Sequence, residues 1–241
     1  MDKYEQLKKI IKESENIVVF TGAGISVPSG IPDFRSADGI YNQKTNTKYS
    51  PEELVSHSCY INDKELFFDF YKNKLCYPNA KPNLAHQYFA DLEKSGKRVI
   101  VVTQNIDGFH QKAGNSIVYE LHGSIHRNYC QNCGKSFNLD YILETDGTPI
   151  CNRCGGDVKP DVVLYEEGLD EDIINRAINA IMTSDTMIII GTSLMVYPAA
   201  SFVRYFRGHN LIVINKSITS MDKNADLVLN EDIVEVIKKI K

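Results

Sequence analysis

Short, unbroken aliphatic runs recur along this chain and restrict its fold more than any other feature. "NIVVF" (16–20), "RVIVV" (98–102), "MIIIG" (187–191) and "LIVIN" (211–215) lack the polar alternation of a strand with one wet face. β-Branched runs this short are what a strand buried on both faces requires. "SIVYEL" (116–121), "DVVLY" (161–165) and "DLVL" (226–229) read as further strands. Helical patterning falls on residues 2–14, 64–76, 82–95, 170–183, 198–207 and 231–240. Strands alternating with helices predict an α/β fold with a parallel, doubly wound sheet.

Residues 127–159 interrupt that rhythm. They are poor in aliphatics, rich in turn residues, and hold four of the six cysteines. Such a segment buries too little apolar surface to hold itself together and needs a cross-link. Cys130-x2-Cys133, residues 134–150, then Cys151-x2-Cys154 matches the spacing of a four-thiolate zinc site, with an iron–sulfur cluster as the minor alternative. Four thiolates close the tetrahedron and leave no position for substrate, so the metal is structural. A glycine follows the second cysteine of each pair, where a tight knuckle must reverse. Cys59 and Cys76 fall outside the pattern and read as buried free thiols.

Composition excludes several classes. A net charge of -4 gives no general attraction to nucleic acid or to an anionic membrane. No apolar run approaches the ~20 residues of a membrane span. The start, "MDKYEQLKKIIKESE", is amphipathic and unlike an export signal, so the expected location is the cytoplasm, where disulfides are rare.

With the metal satisfied by sulfur, the histidines of "LHGSIHRNYCQNC" (121–133) are free for other work. His122 follows the end of a predicted strand, and ligands of α/β sheets bind beyond the strands' carboxyl ends. His126 reads as an exposed neighbour of the zinc ribbon. At another strand end, "VVFTGAGISVPSGIPDFR" places Gly22, Ala23 and Gly24 where a backbone could approach a pyrophosphate. Its fit to the dinucleotide fingerprint is incomplete: Val27 stands where the third glycine belongs, and no acidic residue ends a second strand ~20 positions on. That loop alone reads equally as a nucleotide site or as an ordinary turn. Further polar sets close other strands: Gln104, Asn105 and Asp107; Gly191, Thr192 and Ser193; and Asn215. Parallel strands bring such ends to one edge of a sheet.

Together "GAGIS" (22–26), "GIPDFR" (30–35), "TQNID" (103–107), "LHG" (121–123), the cysteine module, "GTSLMVYPA" (191–199) and "VIN" (213–215) resemble the sirtuins, NAD-dependent protein-lysine deacylases. The motifs run in family order over nearly the whole chain. The resemblance implies a Rossmann-like large domain (about 1–35, 81–126 and 160–241) and a small domain from two insertions (about 36–80, helical, and 127–159, the zinc ribbon). It implies NAD as co-substrate, one structural zinc, and acetyl-lysine in a peptide bound as a β-strand between "VLYEEG" and "SLMVYP". A monomer is the expected state, although no motif in the sequence speaks to it. The implied cofactor set is Gly22, Ala23, Gly24, Asp33, Phe34, Arg35, Gln104, Asn105, Ile106, Asp107, His122, Gly191, Thr192, Ser193, Asn215 and Ile233. The implied catalytic set is His122, Asn105 and Asp107, with His122 as general base. In the implied chemistry the acyl oxygen attacks the nicotinamide ribose, nicotinamide leaves, and a ribose hydroxyl loses its proton to His122. Water then releases lysine and O-acetyl-ADP-ribose. Phe34 and Ile106 would shield the cation-like transition state from water.

Three departures bear on specificity. Val27 stands where many relatives have Thr or Ala. Tyr165 and Glu166 replace the usual Phe-Gly, which suggests a mild preference for basic peptides. Tyr71 and Lys74 occupy the positions of a Tyr-x-x-Arg pair that grips succinyl-lysine in some relatives, and lysine lacks the planar fork of arginine. Deacetylation is therefore the expected activity, with weak succinyl removal. The rival enzyme readings are an ADP-ribosyltransferase or an NAD hydrolase; the rival from another class is an NAD-sensing or nucleic-acid-binding module on a zinc ribbon.

Overall fold

A computed structural model describes residues 1–42 and 47–241. Its strands are β1 (Asn16–Thr21), β2 (Arg98–Thr103), β3 (Val118–Glu120), β4 (Gly123–Cys130), β5 (Ser136–Phe137), β6 (Val158–Val162), β7 (Thr186–Ile190), β8 (Asn210–Ile214) and β9 (Leu227–Leu229). Six of them form a parallel sheet in the order β3-β2-β1-β7-β8-β9. The aliphatic runs occupy its four central strands, as burial on both faces demands. Alternation along each strand divides the side chains between two cores. Ile17, Val19, Val99, Val101, Ile188, Ile190, Ile212 and Ile214 enter one; Val18, Phe20, Val102, Met187, Ile189, Leu211 and Val213 enter the other.

The α-helices are α1 (Lys3–Glu13), α2 (Pro51–Leu54), α3 (His57–Asn62), α4 (Lys64–Lys74), α5 (Leu84–Lys94), α6 (Phe109–Ala113), α7 (Leu139–Glu144), α8 (Glu171–Thr183) and α9 (Ile233–Ile240). Helices α1, α5 and α9 cover the first core, while α8 covers the second. Side chains cap most of the long helices: Asp2, Asp63, Asn83, Asp170 and Asp232 each accept a backbone N–H of the first turn. The stretch expected as a helix over 198–207 winds instead as a 3₁₀ helix, Ala199–Tyr205, with Ala199, Ala200, Phe202 and Val203 buried.

The segment "DVVLY" does not join the large sheet. Its first two residues end β6, which pairs antiparallel with β4 in a small sheet of order β5-β4-β6. The alternating burial of β6 explains this, since only one of its faces is covered. Of the two unpatterned thiols, Cys76 is buried as expected and Cys59 only partly so.

Candidate functional site

The strand order reverses direction between β1 and β7, and the loops leaving these neighbours part there. That is where open α/β sheets place a ligand. A cleft of about 760 Å³ opens at this point, and every residue of the sequence-predicted cofactor set lines it. Val27, His126, Lys74, Tyr165 and Glu166 line it too.

The glycines after β1 are required by a second loop. A Cβ on Gly24 would lie 2.6 Å from Gly191 Cα, and one on Gly22 would lie 2.8 Å from Thr192 Cβ. Gly24 N–H donates to Gly191 carbonyl at 2.8 Å, and Gly22 N–H to Ile190 carbonyl at 3.1 Å. Gly191 itself has φ +58. The "GAG" and "GTS" motifs are thus one packed unit, with Ala23 and Ser193 left at the cleft.

Gln104, Asn105, Ile106 and Asp107 follow β2. Gln104 Nε2 donates to Thr192 Oγ1 at 3.0 Å, tying this loop to the one after β7. Asp107 is only 8% exposed; its Oδ2 accepts from Ser26 Oγ at 2.7 Å and its Oδ1 from Phe109 N–H at 2.9 Å. Burial pushes its carboxyl up, against these two hydrogen bonds. Asn105 Nδ2 donates to the same Ser26 hydroxyl at 3.1 Å. Asp33 Oδ1 accepts the N–H groups of Arg35 at 3.1 Å and Ser36 at 2.8 Å, which shapes the turn carrying Phe34 and Arg35. Asn215 Nδ2 donates to Ser217 carbonyl at 2.7 Å.

His122 sits between β3 and β4. Its Nδ1 lies 2.9 Å from the Gln104 carbonyl, an atom that can only accept, so Nδ1 carries the proton. Nε2 is then the acceptor. Burial lowers the ring's pKa, opposed by the Gln104 contact, and this favours the neutral base. Gly123 follows with φ +73, and a Cβ there would fall 1.9 Å from the Asp161 carbonyl oxygen. Only glycine allows the chain to leave His122 directly into the small sheet.

The four paired cysteines converge, with all Sγ atoms within 4.8 Å of one another. Cys130 and Cys154 Sγ are 3.4 Å apart, Cys133 and Cys151 Sγ 3.7 Å apart. A tetrahedral zinc with ~2.3 Å bonds needs sulfurs ~3.8 Å apart, so the set fits that ion. Gly134 (φ +68) and Gly155 (φ +75) close the two knuckles, their N–H groups donating to the carbonyls of Cys130 and Cys151. No histidine joins the cluster, so His122 and His126 are left to the cleft.

The Sir2 family model matches residues 22–198. A NAD-dependent protein deacetylase of Clostridium acetobutylicum is 55% identical over all of this chain and 98% of the relative. One of Clostridium perfringens is 58% identical over 99% of this chain and 98% of its own. The chain belongs to the Sir2 family. Among solved structures, Sir2 with a deacetylated p53 peptide and 3'-O-acetyl ADP-ribose superposes with a TM-score of 0.88 at 36% identity, covering 99% of this chain and 97% of that one. Sir2 with a p53 peptide and NAD+ gives 0.84 at 37% identity, covering 100% and 97%.

Two departures of this Sir2 chain acquire a structural account. Glu166 adopts φ +75, a conformation that favours glycine. Its carboxylate Oε2 accepts from Ser58 N–H at 2.8 Å and Ser58 Oγ at 2.7 Å, at the start of α3, which lowers its pKa. Glu167 bonds His57 and Lys159 at 2.9 and 3.1 Å. Both acids therefore fasten the 163–167 loop to its surroundings, which weakens the case for a basic-peptide preference. Tyr71 is 0% exposed and packs in the small core, while Lys74 reaches the cleft. The pair does not face the cleft together.

Several site-supporting residues carried no chemical signal in sequence. Thr21 Oγ1 donates to Thr103 Oγ1 at 2.8 Å beneath the cleft, and Thr103 Oγ1 accepts Asn105 N–H at 3.0 Å. His110 Nε2 reaches Thr21 at 3.2 Å, and the buried His86 ring lies 4.8 Å from the His110 ring. Register between β1 and β2 aligns Thr21 with Thr103, and sequence does not reveal register.

Proposed function

We propose that this Sir2 chain is an NAD-dependent protein deacetylase, converting acetyl-lysine and NAD to lysine, nicotinamide and O-acetyl-ADP-ribose. The observation that carries this reading is a neutral imidazole, Nδ1 held by the Gln104 carbonyl, in the cleft formed by the paired "GAG" and "GTS" loops. NAD, when bound, supplies a ribose carbon that loses nicotinamide and a hydroxyl that must be deprotonated. The Nε2 of His122 takes that proton. Asn105 and Asp107, locked through Ser26, hold the hydrogen-bonding face against which the ribose rests. Phe34 and Ile106 exclude water from the reacting carbon. Thr192, Ser193, Asn215 and Ile233 line the part of the cleft assigned to the adenosine half.

The peptide lies along 163–168 and 193–198, joined by main-chain hydrogen bonds. Zinc belongs to the four cysteines and takes no part in the reaction. The reading includes no nucleic acid and no membrane, and no helix among the described residues is long and apolar enough to cross one. Two insertions forming one small domain is supported by a single apolar cluster. It joins Tyr60, Phe67, Phe68 and Tyr71 of α3 and α4 to Ile125, Cys130 and Val158 of the small sheet. Lysine at 74 and the burial of Tyr71 favour acetyl over succinyl groups.

Mass spectrometry of an acetyl-lysine peptide, with and without NAD, tests the function. NAD-dependent loss of the acetyl mass is expected. His122→Ala should keep NAD binding and lose roughly 10²–10⁴ in rate. Nicotinamide release at full rate without acetyl peptide would instead favour an NAD hydrolase.

A further inference from the structure

The loop 104–108 supplies Gln104, Asn105, Ile106 and Asp107 to the cleft, and three of its carbonyls are gripped by one short segment, 122–126. Gln104 carbonyl accepts from His122 Nδ1 at 2.9 Å, and Ile106 carbonyl from Ile125 N–H at 3.0 Å. Asp107 carbonyl lies 3.0 Å from His126 Nε2, which must be the donor. The first grip belongs to the proposed base, and any residue at 125 except proline could supply the second, a backbone N–H. The third depends on a side chain that the sequence assigned only to the outside of the zinc ribbon.

The ring of His126 also fills the space over Gly108. That glycine has φ +68, and a Cβ on it would lie 2.9 Å from His126 Cδ2. Both ends of Asp107 are thereby fixed: its carboxylate by Ser26 and Phe109, its carbonyl by His126. His126 is an exposed residue of β4, so nothing in the packing of the small sheet demands a histidine there.

We propose that His126 is a positioning residue for the NAD half of the reaction. Its Nε2–H holds the Asp107–Gly108 peptide in place before NAD arrives, so that Asn105 and Asp107 need no ordering on binding. A loop ordered in advance spares the complex that entropic cost. The peptide groove, along 163–168 and 193–198, lies outside this loop and should not feel the change. The inference rests on the deacetylase reading given above.

Steady-state kinetics with NAD and acetyl peptide varied separately would test it on His126→Gln, His126→Asn and His126→Phe. The Gln amide reaches as far as imidazole Nε2, whereas the Asn amide reaches only as far as Nδ1. His126→Gln should stay close to wild type. His126→Asn and His126→Phe should each lose roughly fivefold in kcat/KM for NAD, the effect of one neutral hydrogen bond, with KM for peptide unchanged. Amide hydrogen exchange over 105–109 should quicken in His126→Asn and not in His126→Gln. Equal behaviour of the Gln and Asn variants, or a loss shared equally by NAD and peptide, would overturn the proposal. If wild type shows no deacetylation, the functional reading fails on its own. Calorimetric NAD affinities across the same variants then decide the His126 question: wild type and Gln tighter than Asn and Phe supports it, and equal affinities refute it.

Discussion

The two sheets of this molecule are held together in different ways. Every residue of β7 is buried, as are all but the first of β1 and β2. In the small sheet β4 mixes buried, half-buried and exposed positions, and β5 is two residues long with neither fully buried. The large sheet is stabilised by aliphatic burial on both faces. The small one relies on the packing of α3, α4 and α7 on one side and on four converging sulfurs. Between them lies the segment from His122 to His126, which grips the loop of one sheet from the edge of the other. The zinc site, although it takes no part in the chemistry, thus supports a strand that touches the reactive loop.

Removing the metal should set the two sheets apart most. In zinc-finger peptides binding contributes roughly 10–16 kcal/mol at neutral pH, all of it available as folding energy. Chelation, or Cys151→Ser, should therefore abolish deacetylation and expose the amides of 123–162 to exchange, while those of β1, β2, β7 and β8 stay protected. Equal loss of protection in both sheets would show that they fold as one unit.

Acid separates the regions by a smaller amount. His86 and His110 are buried against the large sheet, and burial lowers His86 to about 3 and His110 well below its ordinary value. Both stay neutral in the folded chain while the unfolded chain protonates below pH ~6.5. The folded form thus binds fewer protons, and its stability falls as pH falls from 6.5 toward the depressed values. Well inside that window each ring costs about 1.4 kcal/mol per pH unit. Urea titrations from pH 7 to pH 4 should show this slope, and His86→Phe should flatten it by one proton. An unchanged slope would place the acid sensitivity elsewhere.

The smallest effect expected comes from a single methylene. Ile188→Val in β7 should cost about 0.5–1.5 kcal/mol. That loss should be the same with zinc bound or chelated, if the large core stands independently. A cost that changes on chelation would mean the cores are coupled.

Much of the site was legible because its chemistry lies at strand ends. Buried aliphatic runs located β1, β2, β7 and β8, and the polar residues following each run were the cleft residues. Which sheet a strand joins was less legible. "DVVLY" reads as a strand and its first two residues do end β6, but the antiparallel pairing with β4 in the small sheet was decided by residues distant in the chain. The short helices α2, α3, α6 and α7 left too few turns for periodicity to show.

By itself the sequence determined the parallel sheet, the sulfur cluster and the imidazole at the end of β3, because each follows from residue type and local spacing. Only the tertiary structure decided why Gly22 and Gly24 must be glycine, where Glu166 turns its carboxylate, and what His126 holds. These depend on residues far apart in the chain meeting within 3 Å or so, a matter of register and of which edges face one another. Hydrogen bonds of that kind have no period along the chain and leave no mark in it.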